Sequence, residues 1–166
     1  SLQSLAPCED EAVVQVMEKP SVVSWCRGCS LGEAFVLLQG MVAANPYSAQ
    51  NWNELGSVIT AAGDYGLALI CFAIASRLQT RLGRAIHPIV IRNLEEVKKL
   101  LHDTQGMVAD VNELFRPESA FKLRRGISAA THVQPGQWTS PSHGVEYWTL
   151  SGASLERLVA YLLDLG

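Results

Sequence analysis

The chain has 166 residues, 48% of them apolar and 17% charged, with a formal net charge of −3, a size that suits one compact domain or one domain with a short appendage. An ordinary apolar content and a charged fraction below the usual ~25% exclude disorder over most of its length. The longest apolar stretch, Tyr65 to Ala75, has 11 residues, whereas a membrane-spanning helix needs roughly 20, so no membrane partner is expected. The first residue is not methionine, which leads us to expect a piece of a longer protein.

Charge is unevenly spread. Residues 1–76 carry two basic and seven acidic side chains, residues 77–125 ten and six, and residues 126–166 one and three. The acidic overall balance disfavours nucleic acid as a partner. The basic middle suits an acidic peptide or a phosphate group, although solvated helix faces with weak surface pairs explain it more plainly. A low charged fraction also leaves part of the surface apolar, which points to a protein partner or a second copy of the chain.

In chain order, residues 9–18 carry acids in a first turn and the helically spaced set Ala12, Val13, Val16 and Met17, stopped by Pro20. Ser21 to Arg27 is a shorter segment closed by Gly28. Cys26 and Cys29 form a C-x-x-C, but zinc would require two further ligands at suitable spacing and none follows. Thioredoxin-like chemistry would require a βαβ setting, and this neighbourhood reads as helical. With Cys8 and the apolar-embedded Cys71, the four cysteines read as reduced thiols, which implies a cytoplasmic setting.

Leu31 to Ala44 places Ala34, Leu37, Leu38, Met41 and Val42 on one stripe, ended by Asn45 and Pro46. Ser48 or Gln50 then starts a helix through Trp52, Leu55, Gly56 and Ile59, and Gly63–Asp64 breaks it. Tyr65 to Gln79 is apolar nearly all round, so it belongs at the centre of the fold.

Trp52, Leu55, Gly56, Ile59, Gly63, Asp64, Tyr65, Ala68, Phe72 and Ala75 stand at the spacing W-x-x-L-G, a small turn, then A-x-x-x-F-x-x-A. This resembles a tetratricopeptide repeat. The small residues let two helices approach closely and the aromatics fill the space between them. Thr80 stands where the family usually has proline. A shift of one repeat back aligns Ala34, Leu38, Met41 and Pro46 with Ala68, Phe72, Ala75 and Thr80, while the shift forward is degenerate at Ile86, Ile89 and Val90. The resemblance covers 31–80 well and 10–105 loosely. It implies stacked antiparallel helical hairpins whose first helices line a groove, with Asn53, Ser57 and Thr60 facing it.

Leu82–Gly83 reads as a helix end and Pro88 as a first-turn residue. Val90, Leu94, Val97 and Leu101 extend that helix to about His102, and Met107, Val108, Val111, Leu114 and Phe115 predict another short one. Pro117 opens a helix carrying Ala120, Phe121 and Ile127. Residues 131–150 read as a loop with short strands at Gln137–Thr139 and Val145–Leu150. Ser151 or Ser154 caps a last helix with Leu155, Leu158, Val159 and Leu162 on one face.

The expected fold is therefore all-α, a helical-hairpin array over 1–128 followed by a loop-rich segment and a terminal helix over 129–166. Arg77, Arg81 and Arg84 share one face if their helix continues through Gly83. Together with Arg92 they suit bidentate capture of carboxylates or phosphates. No nucleophile elbow, phosphate loop or H-E-x-x-H is present, so no enzyme activity and no cofactor is expected. The favoured function is a scaffold or adaptor module that binds a peptide or helix of another protein. The competing reading is an enzyme or metal module in which His132, His143 and Glu146 converge.

Overall fold

Three short polar side chains decide where the first helices begin. Ser30 Oγ accepts the amide of Glu33 at 3.1 Å, Ser48 Oγ that of Asn51 at 3.2 Å, and Asp64 Oδ1 that of Leu67 at 3.1 Å. Each satisfies one of the donors that a first helical turn leaves open. The computed structural model describes residues 30–132 and 150–165, and in it these caps start α1 (Leu31–Ala44), α2 (Ala49–Ala61) and α3 (Tyr65–Arg81). Then comes α4 (Pro88–Gln105), with Pro88 in its first turn and Gly106 left-handed at its end. Two 3-10 turns, Val111–Phe115 and Pro117–Ser119, lead into α5 (Ala120–Thr131), and α6 (Gly152–Leu162) follows. Among the described residues there is no strand, so the fold is all-α.

The apolar all-round character of α3 places it at the centre. Ala68, Leu69, Cys71, Phe72, Ala73, Ile74, Ala75 and Leu78 are all buried along it. Antiparallel to it, across the short link closed by Gly63 (φ 91°), α2 makes the most extensive helix–helix contact among the described residues. The approach is set by Gly56, where a Cβ would lie 2.7 Å from Phe72 Cε1. Trp52 is fully buried and its Nε1 donates to Pro46 O at 2.6 Å, so the indole joins the α1–α2 link to the core. α1 packs on α2 and α4 on α3, while α5 lies across α3 and α1, and α6 rests on α5 and α3. Leu158, Val159 and Leu162 of α6 share the core of the other helices, and α5 runs through the 128/129 division expected from the sequence.

One local expectation is corrected. The helix expected over Met107–Phe115 is only the 3-10 turn from Val111, because Gly106 turns the chain out of α4 and extended Asp110 caps the Asn112 amide at 3.0 Å. Of its apolar residues only Leu114 is buried, and Met107 and Val108 stay exposed, so no face rewards a longer helix. At the end of α3 the helix stops at the Leu82–Gly83 boundary read from the sequence, so the condition for Arg84 to share the face of Arg77 and Arg81 is not met. The Leu82 amide closes on Leu78 O and Gln79 O and Gly83 takes φ 74°, so the helix does not continue to Arg84. The helices expected over 9–18 and 21–27, Cys26 and Cys29, and the strand residues 137–139 and 145–149 lie outside the described residues.

Candidate functional site

Arg77 and Arg81 lie one turn apart on α3 and both reach the end of α6. Arg77 Nε donates to Leu162 O at 2.7 Å and Arg81 Nε to Tyr161 O at 3.0 Å. Arg81 Nη1 also pairs with Asp164 Oδ1 at 3.0 Å. These are last-turn carbonyls at the helix's negative end, beyond its i+4 ladder, so two guanidinium groups complement both the acceptors and the macrodipole, Tyr161 O sharing its lone pairs with the Asp164 amide. Flat rings complete the seat. The Arg81 guanidinium lies 4.8 Å from the Tyr161 ring centroid, Arg77 lies 5.5 Å from that of Phe115, and Tyr47 meets Tyr161 edge-on at 5.5 Å. Burial raises the Tyr161 phenol above its usual range, and Arg81 and Arg77 pull it partly back.

The end of α6 is itself specialised. Leu165 N–H bonds Ala160 O at 2.9 Å and Asp164 N–H bonds Tyr161 O at 3.3 Å, the paired closure of a Schellman turn. Asp164 occupies its left-handed position at φ 57°, where glycine would be less strained. The carboxylate it brings is the one that Arg81 holds.

The remaining residues expected to meet a partner fall elsewhere. Asn53 is buried, its Oδ1 accepting from Asn93 Nδ2 of α4 at 2.9 Å, so α2 and α4 lie side by side there. One turn on, Ser57 is exposed and Thr60 half-buried, with hydroxyls donating back to Asn53 O and Gly56 O. Arg92 is exposed on α4 beside Asn93. Arg84, turned out of the α3 row, is half-buried, and its amide closes on Gln79 O at 3.0 Å. The structure thus brings Arg77 and Arg81 together on α6, and sets Asn53, Ser57, Thr60 and Arg92 on α2 and α4.

Several buried polar groups escaped sequence reasoning. Gln50 and Glu54 are buried on α2, where Gln50 Nε2 donates to Glu54 Oε1. Gln39, fully buried on α1, donates from Nε2 to Ala130 O at 3.0 Å and His132 O at 3.1 Å, closing the end of α5. The i, i+4 spacing of Gln50 and Glu54 could have suggested their bond. Nothing local foretells Gln39 reaching across to α5.

His132 caps α5 with an exposed side chain, whereas His143 and Glu146 lie outside the described residues. Among the described residues no group of three or more His, Cys, Asp or Glu is placed to hold a metal, and no helix is long and apolar enough to cross a membrane. Cys71 is fully buried, and desolvation pushes its thiol far above the ordinary range, which makes it a poor nucleophile. A cavity of about 290 Å³ opens between Leu69 and Ile70 of α3, the Met107–Leu114 stretch and Lys122 of α5. Its walls are mainly apolar. Comparison with family models, curated proteins and solved structures finds no match for this chain.

Proposed function

We propose that this chain is a non-catalytic interaction module, a scaffold or adaptor built on tetratricopeptide-like hairpins that binds a peptide or helix of another protein. The observation that carries the reading is the side-by-side placement of α2 and α4, joined by the Asn53–Asn93 bond. In such hairpin arrays the first helices of successive pairs form the receiving surface. On the opposite side α3 is covered by α5 and α6, so the receiving surface runs along α2 and α4 past Ser57, Thr60 and Arg92. An acidic or polar peptide suits it, with Arg92 as a rim charge that acts on association rate and salt dependence.

The test uses capture of a partner from the source lysate, followed by affinity measurement on the enriched protein. Ser57→Trp with Arg92→Glu is expected to weaken that partner about tenfold or more, since bulk and reversed charge at a contact commonly cost over 1 kcal/mol. His132→Ala is expected to leave it unchanged. If the histidine variant loses the partner and the α2/α4 variant keeps it, the proposed surface is wrong.

A further inference from the structure

We propose that His87 makes the start of α4 acid-sensitive: its neutral imidazole caps the helix, and its imidazolium releases the first turn. The proposal does not rest on the partner-binding reading.

The cap follows from the residues around it. Pro88 has no N–H and disfavours a helical residue before it. His87 therefore stays extended (φ −62°, ψ 138°), and the Ile89 amide is the first in α4 that needs an acceptor. His87 Nδ1 accepts it at 3.2 Å. A ring nitrogen accepts only when it carries no proton, so this bond requires the neutral ring with its proton on Nε2. Protonation turns Nδ1 into a second donor facing the amide and sets a positive charge at the positive end of the helix dipole. The other side-chain caps described are Ser30, Ser48, Asp64 and Asp110. Their oxygens remain acceptors between about pH 5 and 8, whereas the acceptor at His87 disappears within that range.

Packing holds the first turn at one point. Val90 is fully buried, while Pro88 and Ile91 are exposed and Ile89 is half-buried. The chain before the turn is anchored separately, because the His87 amide donates to Gln79 Oε1 of α3 at 3.0 Å. Loss of the cap therefore frays the first turn and leaves the link seated on α3. One turn further on, Asn93 holds Asn53, so the acid-sensitive turn adjoins the α2–α4 contact.

The charged groups on the surrounding elements do not offset the loss. Arg77 and Arg81 of α3 are engaged with α6. The link carries Arg84, and the second turn of α4 carries Arg92 and Glu95. On α2 the acid is Glu54, which Gln50 Nε2 bonds. No carboxylate among the described residues lies within ion-pair reach of His87, so the imidazolium gains no partner for the bond it gives up. The cap is made above the ordinary histidine range, about pH 6.5, and is lost as pH falls below it.

The first measurement is the nitrogen NMR spectrum of the His87 ring in the unmodified chain, assigned through its own backbone. At about pH 7.5 it is expected to show a bare Nδ1 and a proton on Nε2, and at about pH 5 a proton on both. A proton on Nδ1 at the higher pH overturns the proposal. In the same chain the Val90 and Ile91 amides bond His87 O. Between the two pH values their protection factors are expected to fall about threefold or more relative to amides in the middle of α3, as a lost cap implies. Unchanged relative protection also overturns it. Urea unfolding of variants gives a separate test. Asparagine caps well and does not titrate, so His87→Asn is expected to match the unmodified chain at the higher pH and to exceed its folding constant about threefold or more at the lower one. His87→Ala is expected to be about threefold weaker than the unmodified chain at the higher pH and to converge with it in acid. His102→Asn, in the last turn of the same helix, is expected to show no gain on acidification, because a cation suits that end. A constant ratio between His87→Asn and the unmodified chain, or an equal gain from His102→Asn, refutes the acid-sensitive cap.

Discussion

Replacing Gly56 by alanine places a methyl group where the Phe72 ring already sits. The added carbon would lie 2.7 Å from Cε1, 2.8 Å from Cδ1 and 3.0 Å from Cζ, against an ordinary carbon contact of about 3.5–4.0 Å. The ring is 2% exposed and enclosed by the core, so it cannot swing aside and α2 must back away from α3. Overpacking of this kind costs about 1–3 kcal/mol, from which the better helix propensity of alanine recovers up to about 1 kcal/mol. The expected net loss is up to about 2 kcal/mol, a fall in Tm of up to roughly 8 °C for a chain of this size. Phe72→Leu removes the ring edge, so the double variant should be more stable than the two single effects predict, with a coupling of about 1–2 kcal/mol. Urea unfolding followed by far-ultraviolet circular dichroism gives all four corners of the cycle, provided the m-value stays constant. A stabilised Gly56→Ala variant, or zero coupling, refutes the close α2–α3 contact.

Gly126→Ala provides a contrast. Its added carbon meets Ile70 Cδ1 at 2.7 Å and Cγ2 at 3.1 Å; the first ends a side chain that can change rotamer and the second asks for a shift of a few tenths of an ångström, so the loss should be about 1 kcal/mol or less and below that of Gly56→Ala. Ser48→Ala strips the cap from the Asn51 amide and should cost about 0.5–2 kcal/mol in the same urea assay. The Cys71 thiol, pushed by burial well above its ordinary range, binds its proton more tightly folded than unfolded. Its contribution is therefore fully present below the unfolded thiol range and declines as pH rises through it, by up to about 1.4 kcal/mol per pH unit. Cys71→Ala should flatten this alkaline decline in unfolding midpoints measured across pH, and peptide mapping should find Cys71 unalkylated until the chain unfolds.

The helix boundaries were legible because their causes are local. Ser48, Asp64, Gly63, Gly83 and Pro88 act on backbone groups within a few residues of themselves, so their effects can be read without knowing what lies across the core. The close pairing at Gly56 and Phe72 was legible too, since a small residue and a ring at that spacing leave few other ways to pack two helices joined by a short turn. The Gly83 turn that drops Arg84 from the row is a local event, whereas the Met107–Phe115 helix is cut short both locally, by the Gly106 turn and the Asp110 cap, and by a core that buries only Leu114 of it.

The use made of the charged and amide side chains was decided only by tertiary structure. Arg77 and Arg81 have the same local surroundings whether they point to solvent, to a partner or into the molecule. Their destination depends on Leu162 and Tyr161, 85 and 80 residues further along the chain. Gln39 finds its carbonyls 91 and 93 residues away. An arginine or a glutamine states which groups it can satisfy, and the packing of α5 and α6 against α3 determines which groups come within reach.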